Sequence, residues 1–166
     1  DGMISGYSRA YPTVVKPILE VIGRANNVKR VATTNIMITE RGPMFLSDTS
    51  INIDPSAETI AETAQMTANV AKTFGFESVT ALLSYANFGS SSHPNANKVK
   101  QAVRILHTES PDLIADGEVQ MDFALNKVLH QEKFPFSKLA GKKVNTLIFP
   151  NLESANITYK LMKELN

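Results

Sequence analysis

Hydrophobic and polar positions along this chain switch between two periods, and the switches mark its elements. In residues 13–22, Val15, Ile18, Leu19 and Ile22 fall at i, i+3, i+4 and i+7, and Gly23 follows. The spacing predicts a helix and the glycine its stop. Pro17 suits that helix only near its first turn, where a missing N–H costs nothing. Residues 30–38 are rich in β-branched side chains and read as a strand. A turn at Arg41-Gly42-Pro43 leads to a short second strand at 44–46. Residues 55–74 give the clearest helix: Asp54 is placed to cap it, Pro55 to open it, and Glu58 and Glu62 to meet its positive end. Ala57, Ala61, Ala64, Ala68 and Ala71 form a small-residue face that lets another element approach closely, and Gly75 ends the helix.

The apolar run at 79–85 is nearly continuous, as in a strand covered on both sides. Residues 98–107 predict a helix with Val99, Ala102, Val103 and Leu106 inward, ended by Pro111. Short and longer strands follow at 113–115 and 144–149. Asn151 caps a last helix whose Ile157, Leu161 and Leu165 align at i, i+4 and i+8. There is no internal repeat and no low-complexity linker. The alternation of strands and helices predicts an α/β fold with a largely parallel sheet covered by helices.

Composition narrows the picture. The 166 residues suit one domain or a large part of one. With 17 Lys and Arg against 16 Asp and Glu, the net charge of +1 gives no bulk field for nucleic acid. Without cysteine there is no disulfide, thiolate nucleophile or Cys-ligated zinc, which permits a cytoplasmic setting. The longest uncharged run, 78–97, is rich in serine and asparagine and holds Pro94, so no membrane span is expected. The chain opens without a signal-like segment. It starts abruptly and stops inside a helical pattern, so 1–166 reads as an internal fragment of a longer chain.

Ligands of such sheets bind beyond the carboxyl ends of the strands. Four segments therefore draw attention. Residues 84–92 place Ser84, Asn87, Gly89, Ser90 and Ser91 at a strand-to-helix junction, a cradle for phosphate or an acyl oxygen if helix N-terminal N–H groups face it; a solvated Ser/Gly loop is the plainer reading. No Walker lysine follows. Residues 116–122 place Asp116, Glu118, Gln120 and Asp122 together, and an extended run puts Glu118, Gln120 and Asp122 on one side. Crowded carboxylates suit proton transfer, whereas a capped turn accounts for them equally well, and no histidine is near enough to complete a metal site. Asn151 caps the last helix, and Asn156 one turn on faces the same cleft. Lys133, Lys138, Lys142 and Lys143 cluster, most simply as a solvated loop. His93, His107 and His130 are scattered, with no Ser–His–Asp order.

These residues carry a resemblance. Phe74-Gly75-Phe76-Glu77, Leu83-Ser84-Tyr85, Gly89-Ser90, Lys98-Val99, Pro111-Asp112-Leu113, 116–122, Leu139-Ala140-Gly141, Phe149-Pro150-Asn151-Leu152 and Asn156 resemble, in order, the phosphate acetyl/butyryltransferase family. The opening residues 5–12, Thr34-Asn35 and 42–48 are closer to one branch, the phosphotransacetylase-like C-terminal region of NADP-dependent bacterial malic enzymes. Departures from the transferase pattern fit that branch: Tyr7 where a small residue stands, Lys16 in place of an arginine, Ala86 in place of a second loop hydroxyl, and Ala155 in place of glycine. Lysine is a point charge where arginine is a bidentate fork. The family's Ser-Arg…Asp catalytic segment has no counterpart within these residues.

The resemblance implies a three-layer α/β/α, isocitrate/isopropylmalate dehydrogenase-like fold whose cleft takes acetyl-CoA or another acyl-CoA. It implies Lys16, Ser84, Asn87, Gly89, Ser90, Ser91, Glu118, Gln120 and Asn156 as ligand-binding residues. Ser84, Asp116 and Asp122 are the catalytic candidates, and no metal ligands are implied. It further implies a homodimer or higher homo-oligomer, and a malic enzyme catalytic domain in the same chain that carries NADP and a divalent metal. The expected function is acetyl-CoA sensing that controls the oxidative decarboxylation of malate to pyruvate. An active acyltransferase, moving an acyl group between CoA and phosphate, is the rival. A structural dimerisation module, supported by the alanine-faced helix, is the third reading.

Overall fold

The computed structural model describes residues 3–6, 8, 10–24, 26 and 28–165. Two compact units are present, Asp1–Val31 and Ala32–Asn166. In the first, α1 (Tyr11–Val21) forms where the periodicity predicts a helix. It starts earlier than residue 13 because Pro12 serves its first turn, so Pro17 lies in the helix interior rather than near its start. Pro17 has no N–H for the carbonyl of Thr13. Tyr7 lies outside the described residues.

The second unit is built on a five-stranded sheet of order β1-β2-β5-β3-β4. The strands are β1 (Thr34–Thr39), β2 (Gly42–Ser47), β3 (Val79–Leu83), β4 (Ile114–Val119) and β5 (Thr146–Ile148). β1 and β2 form an antiparallel hairpin with Thr34 opposite Ser47, and every other pairing is parallel. The connecting helices are α2 (Ala57–Thr73), α3 (Pro94–Glu109), α4 (Met121–Leu125), α5 (Lys127–Lys133) and α6 (Leu152–Leu165).

Alternation along the strands assigns the layers. Leu82, Ala115 and Ile148 pack with α2 and α3 through Ala57, Ile60, Ala61, Ala64, Val99, Ala102, Val103 and Leu106. Val79, Ala81, Leu83, Val119, Leu147 and Phe149 face the other way, onto Ala124 of α4, Leu139, Val144 and Ala155 of α6. The result is a three-layer α/β/α arrangement with both faces of the sheet covered, which is why β3 reads as continuous apolar sequence.

Several boundaries differ from the sequence reading, each for a local reason. Ser56, not Asp54, caps α2 by accepting the Thr59 N–H at 3.3 Å. Asp54 instead pairs with Lys98 Nζ at 2.5 Å. α3 begins at Pro94 rather than 98, because His93 accepts the Asn95 N–H on Nδ1. β4 runs on to Val119, through the acidic segment. α4 and α5 were not predicted, since neither is long enough to display a helical period. The aligned Ile157, Leu161 and Leu165 face outward, 67%, 56% and 77% exposed. Ala155, Tyr159 and Met162 form the inner face of α6 instead. Ala57, Ala61 and Ala64 of the alanine face of α2 pack within the chain, against α3 and the sheet. No helix among the described residues is long and apolar enough to cross a membrane.

Candidate functional site at the carboxyl ends of the strands

Chain direction sets the site. After β3 the backbone leaves towards α3 on one face of the sheet, and after neighbouring β4 and β5 it leaves towards α4 and α6 on the other. Strand ends that diverge in this way open a crevice. The loop at 84–92 occupies the β3 side of it.

β3 and β4 pair in simple register as far as Leu82 opposite Gly117, and then Leu83 lies opposite Val119. Glu118 is therefore a bulge, the kind of irregularity that re-aims a side chain. Gly117 makes the close approach possible. Its φ is +152°, and a Cβ there would lie 2.5 Å from the Leu82 carbonyl oxygen. Glu118 is 1% exposed, and its Oε1 accepts the Gly89 N–H at 2.5 Å. Its Oε2 is buried with no hydrogen-bond partner.

Asn87 and Gln120 lock the loop to β4 by exchanging amide bonds. Asn87 Nδ2 donates to Gln120 Oε1 at 2.8 Å, and the Gln120 N–H donates to Asn87 Oδ1 at 2.8 Å. Gln120 Nε2 also donates to the Tyr85 carbonyl at 2.6 Å. Phe88, at φ +43°, turns its ring into an aromatic cluster with His130, Phe134 and Phe136 at centroid distances of 5.9, 4.7 and 5.2 Å. The described structure thus brings together Ser84, Asn87, Gly89, Ser90, Ser91, Glu118 and Gln120.

Much of the backbone of this loop is hydrogen-bonded within the chain. The Ser84 N–H is bonded to the Val119 carbonyl, that of Ala86 to Ser84 Oγ, and that of Asn87 to Ser90 Oγ. Phe88 and Gly89 donate to the Glu118 carbonyl and carboxylate, and Ser90 donates to the Asn87 carbonyl. His93 takes the first N–H groups of α3: Asn95 donates to its Nδ1, and Ala96 and Asn97 to its carbonyl at 3.0 Å each.

The other predicted residues lie elsewhere. Asp116 is a buried tether, accepting the Gly117 N–H at 3.0 Å and the Lys138 N–H at 2.8 Å. His107 Nε2 stands 3.8 Å from its Oδ1. Asp122 is exposed in the first turn of α4, beside a shallow groove with Arg41, Asn126 and Lys127. The extended run that would align it with Glu118 and Gln120 is broken because α4 starts at Met121. Asn156 Nδ2 donates to the Thr49 carbonyl at 3.2 Å, which ties α6 to the segment after β2. Lys16 belongs to the first unit, where it is 79% exposed and 3.9 Å from Glu20. Among the described residues no group of three or more His, Asp or Glu side chains is gathered as a metal site.

Two titratable groups are buried against the sequence reading, which did not single out Asp48 and took His130, like His93 and His107, for a surface residue. Asp48, 6% exposed, follows β2 and accepts from Thr33, Ser50, Ile51 and Asn52. Burial raises its pKa, but the bonds from Thr33, Ser50 and Asn52 outweigh this and hold the carboxyl below its ordinary 3.8. Asp48-Thr49-Ser50 with asparagine at the fifth place, Asn52, is the signal, since such residues bond the backbone just ahead. His130, 1% exposed, is held below its ordinary 6.5 by desolvation, against a bond to the Phe123 carbonyl and the charge of Asp116. Its Nε2 has no partner.

This arrangement has relatives. The pattern of the phosphate acetyl/butaryl transferase family matches residues 1–166. The chain belongs to that family. A phosphate acetyltransferase of Thermoanaerobacterium thermosaccharolyticum is 38% identical over 172 residues, covering 99% of this chain and 52% of that protein. An NAD-dependent malic enzyme of Rhizobium meliloti is 37% identical over 165 residues, covering 99% of this chain and 21% of that protein. A phosphotransacetylase from Streptococcus pyogenes superposes with a TM-score of 0.90 at 36% identity, covering 99% of this chain and 50% of that one. As a phosphate acetyl/butaryl transferase family member, the chain thus spans about half of the acetyltransferase and about a fifth of the malic enzyme.

Proposed function

We propose that this region binds acyl-CoA, acetyl-CoA foremost, and that it does so as the regulatory, phosphotransacetylase-like part of a malic enzyme. The observation that carries the regulatory reading is Ala86. The transferase pattern implied by the resemblance has a second hydroxyl at this place in the loop. Here a methyl group is buried, 3% exposed, and its N–H is bonded to the Ser84 hydroxyl. Such a loop keeps polar groups for binding and has fewer for chemistry. Identity does not separate the branches, since 37% to the malic enzyme and 38% to the acetyltransferase are equivalent.

In this reading Ser84, Ser90 and Ser91 present hydroxyls to the ligand, while Asn87, Gly89, Glu118 and Gln120 hold the loop in shape. Asn156 contributes from α6. Malate oxidation, with its dinucleotide and divalent metal, belongs to a catalytic domain in the same chain. The Rhizobium meliloti relative is named for NAD, where the resemblance implies NADP. A cytoplasmic homo-oligomer is the setting we propose. Binding at the loop would change malate turnover elsewhere, an allosteric coupling between two sites. Calorimetric titration with acetyl-CoA tests the binding, with saturable heat expected. Malate oxidation by the full chain, assayed with and without acetyl-CoA, tests the coupling. The absence of binding heat overturns the reading, and binding without an effect on malate oxidation removes its regulatory half.

A further inference from the structure

We propose that the Lys100 ammonium is the cation that receives the phosphate group of a ligand at the 84–92 loop. The inference deepens the acyl-CoA reading and rests on it for the ligand's identity.

Three observations lead there. The first is the occupancy of the loop's main-chain donors: the N–H groups of Ser84, Ala86, Asn87, Phe88, Gly89 and Ser90 are bonded internally, and the one on Gly89 is bonded to a carboxylate. A phosphate entering this loop finds these six N–H groups already committed and lies near the negative Glu118. It needs a positive side chain. The second is the position of Lys100. Its Nζ lies 3.1 Å from the point a Cβ of Gly89 would occupy. Gly89, at φ +90°, has the left-handed backbone that favours glycine, and the missing side chain is what admits the ammonium to the loop. The third is a contrast between neighbours on α3. Lys98 is committed to Asp54 at 2.5 Å. Lys100 is half-buried, and among the described residues no hydrogen bond or ion pair engages its Nζ. A half-buried ammonium is screened less than an exposed one, and lysine binds phosphate as a mobile point charge.

A phosphate reaches this position either as a free or acyl-linked phosphate or as part of coenzyme A. The test uses three probes: inorganic phosphate, acetyl-CoA, and S-acetylpantetheine, which has the thioester arm but no phosphate. Lys100→Gln is expected to weaken calorimetric binding of the phosphate-bearing probe about tenfold, as for loss of one charge-assisted bond. S-acetylpantetheine binding is expected to be unchanged, and Lys100→Arg to retain most of the affinity. An effect on inorganic phosphate assigns the position to a free phosphate, and an effect on acetyl-CoA alone assigns it to the phosphates of coenzyme A.

If Lys100→Gln binds both phosphate-bearing probes as the unmodified chain does, the proposal is overturned and the acyl-CoA reading stands. If the unmodified chain binds phosphate in a Lys100-dependent way but not acetyl-CoA, the proposal stands and the acyl-CoA reading falls. Binding of neither probe removes both. Equal loss of all three probes marks a disturbed loop and also counts against the proposal; Lys100→Arg, which keeps the charge, guards against a folding artefact.

Discussion

At the scale of single residues, the groups that shape the loop are buried and titratable. His130 illustrates what this costs. Its ring packs edge-on against Phe88 and Phe134, at centroid distances of 5.9 and 5.6 Å, and its Nε2 has no partner. Desolvation depresses its pKa below 6.5, so the folded chain keeps it neutral while the unfolded chain takes up a proton near that pH. The unfolded state then binds more protons, and stability falls as pH drops below about 6.5 until the folded histidine also titrates. We expect urea unfolding at pH 7.5 and pH 5.5 to show this loss, and His130→Phe to flatten it between those values. An unmodified chain equally stable at both values would contradict the assignment. Asp48 acts in a separate window. Its contribution is present above about pH 4 and is lost as pH falls through its lowered folded pKa.

At the scale of elements, the sequence was most informative where burial makes the pattern unambiguous. The apolar run that became β3 and the alanine periodicity that became α2 follow directly from being covered on both faces or packed closely. The last helix shows the limit. Ile157, Leu161 and Leu165 have the spacing of a core face, yet the core is met by Ala155 and the longer Tyr159 and Met162. Spacing alone does not say which stripe turns inward; the sheet's position does. The carboxylates at 116–122 were visible as a cluster, but a bulge and a helix start sent Glu118, Asp116 and Asp122 to three different environments. Lys100 gave no signal, because its meaning depends on Gly89, eleven positions away in the chain and adjacent in space. The helix faces yield a paired expectation. Ala64→Leu places extra volume at a position 0% exposed between α2 and its neighbours, and should destabilise by about 1–3 kcal/mol. Leu161→Ser on the outer face of α6, 56% exposed, should change the isolated chain's stability by less than about 0.5 kcal/mol. Denaturant midpoints for the two variants decide between inner and outer faces; a large loss for Leu161→Ser would place a partner on that stripe.

At the scale of the whole molecule, the question is whether this fold acts by holding a ligand or by converting one. A sensor requires only that the ligand bind the folded state and not the unfolded one, and that alone has a thermal consequence. A ligand present at a hundred times its Kd stabilises by about 2.7 kcal/mol. For a chain of this size, each kcal/mol moves the midpoint by about 2–4 °C. Acetyl-CoA at that excess should therefore raise the midpoint by about 5–10 °C, and Ser84→Ala should reduce the rise at the same ligand concentration. Turnover makes a different demand. A transferase must place a CoA thiol and an acyl phosphate in one cleft and consume the acyl phosphate only when the thiol is present. In the reading proposed above, the loop, with Ala86 buried and N–H groups bonded to Glu118, Val119 and its own Ser84 and Ser90 hydroxyls, serves the first task. We therefore expect the thermal rise without thiol-dependent consumption of acetyl phosphate. A rise accompanied by consumption that Ser84→Ala abolishes would instead assign this chain to the acyltransferase side of its family. An unchanged midpoint in that excess would exclude tight acetyl-CoA binding by this chain, leaving neither role at the 84–92 loop.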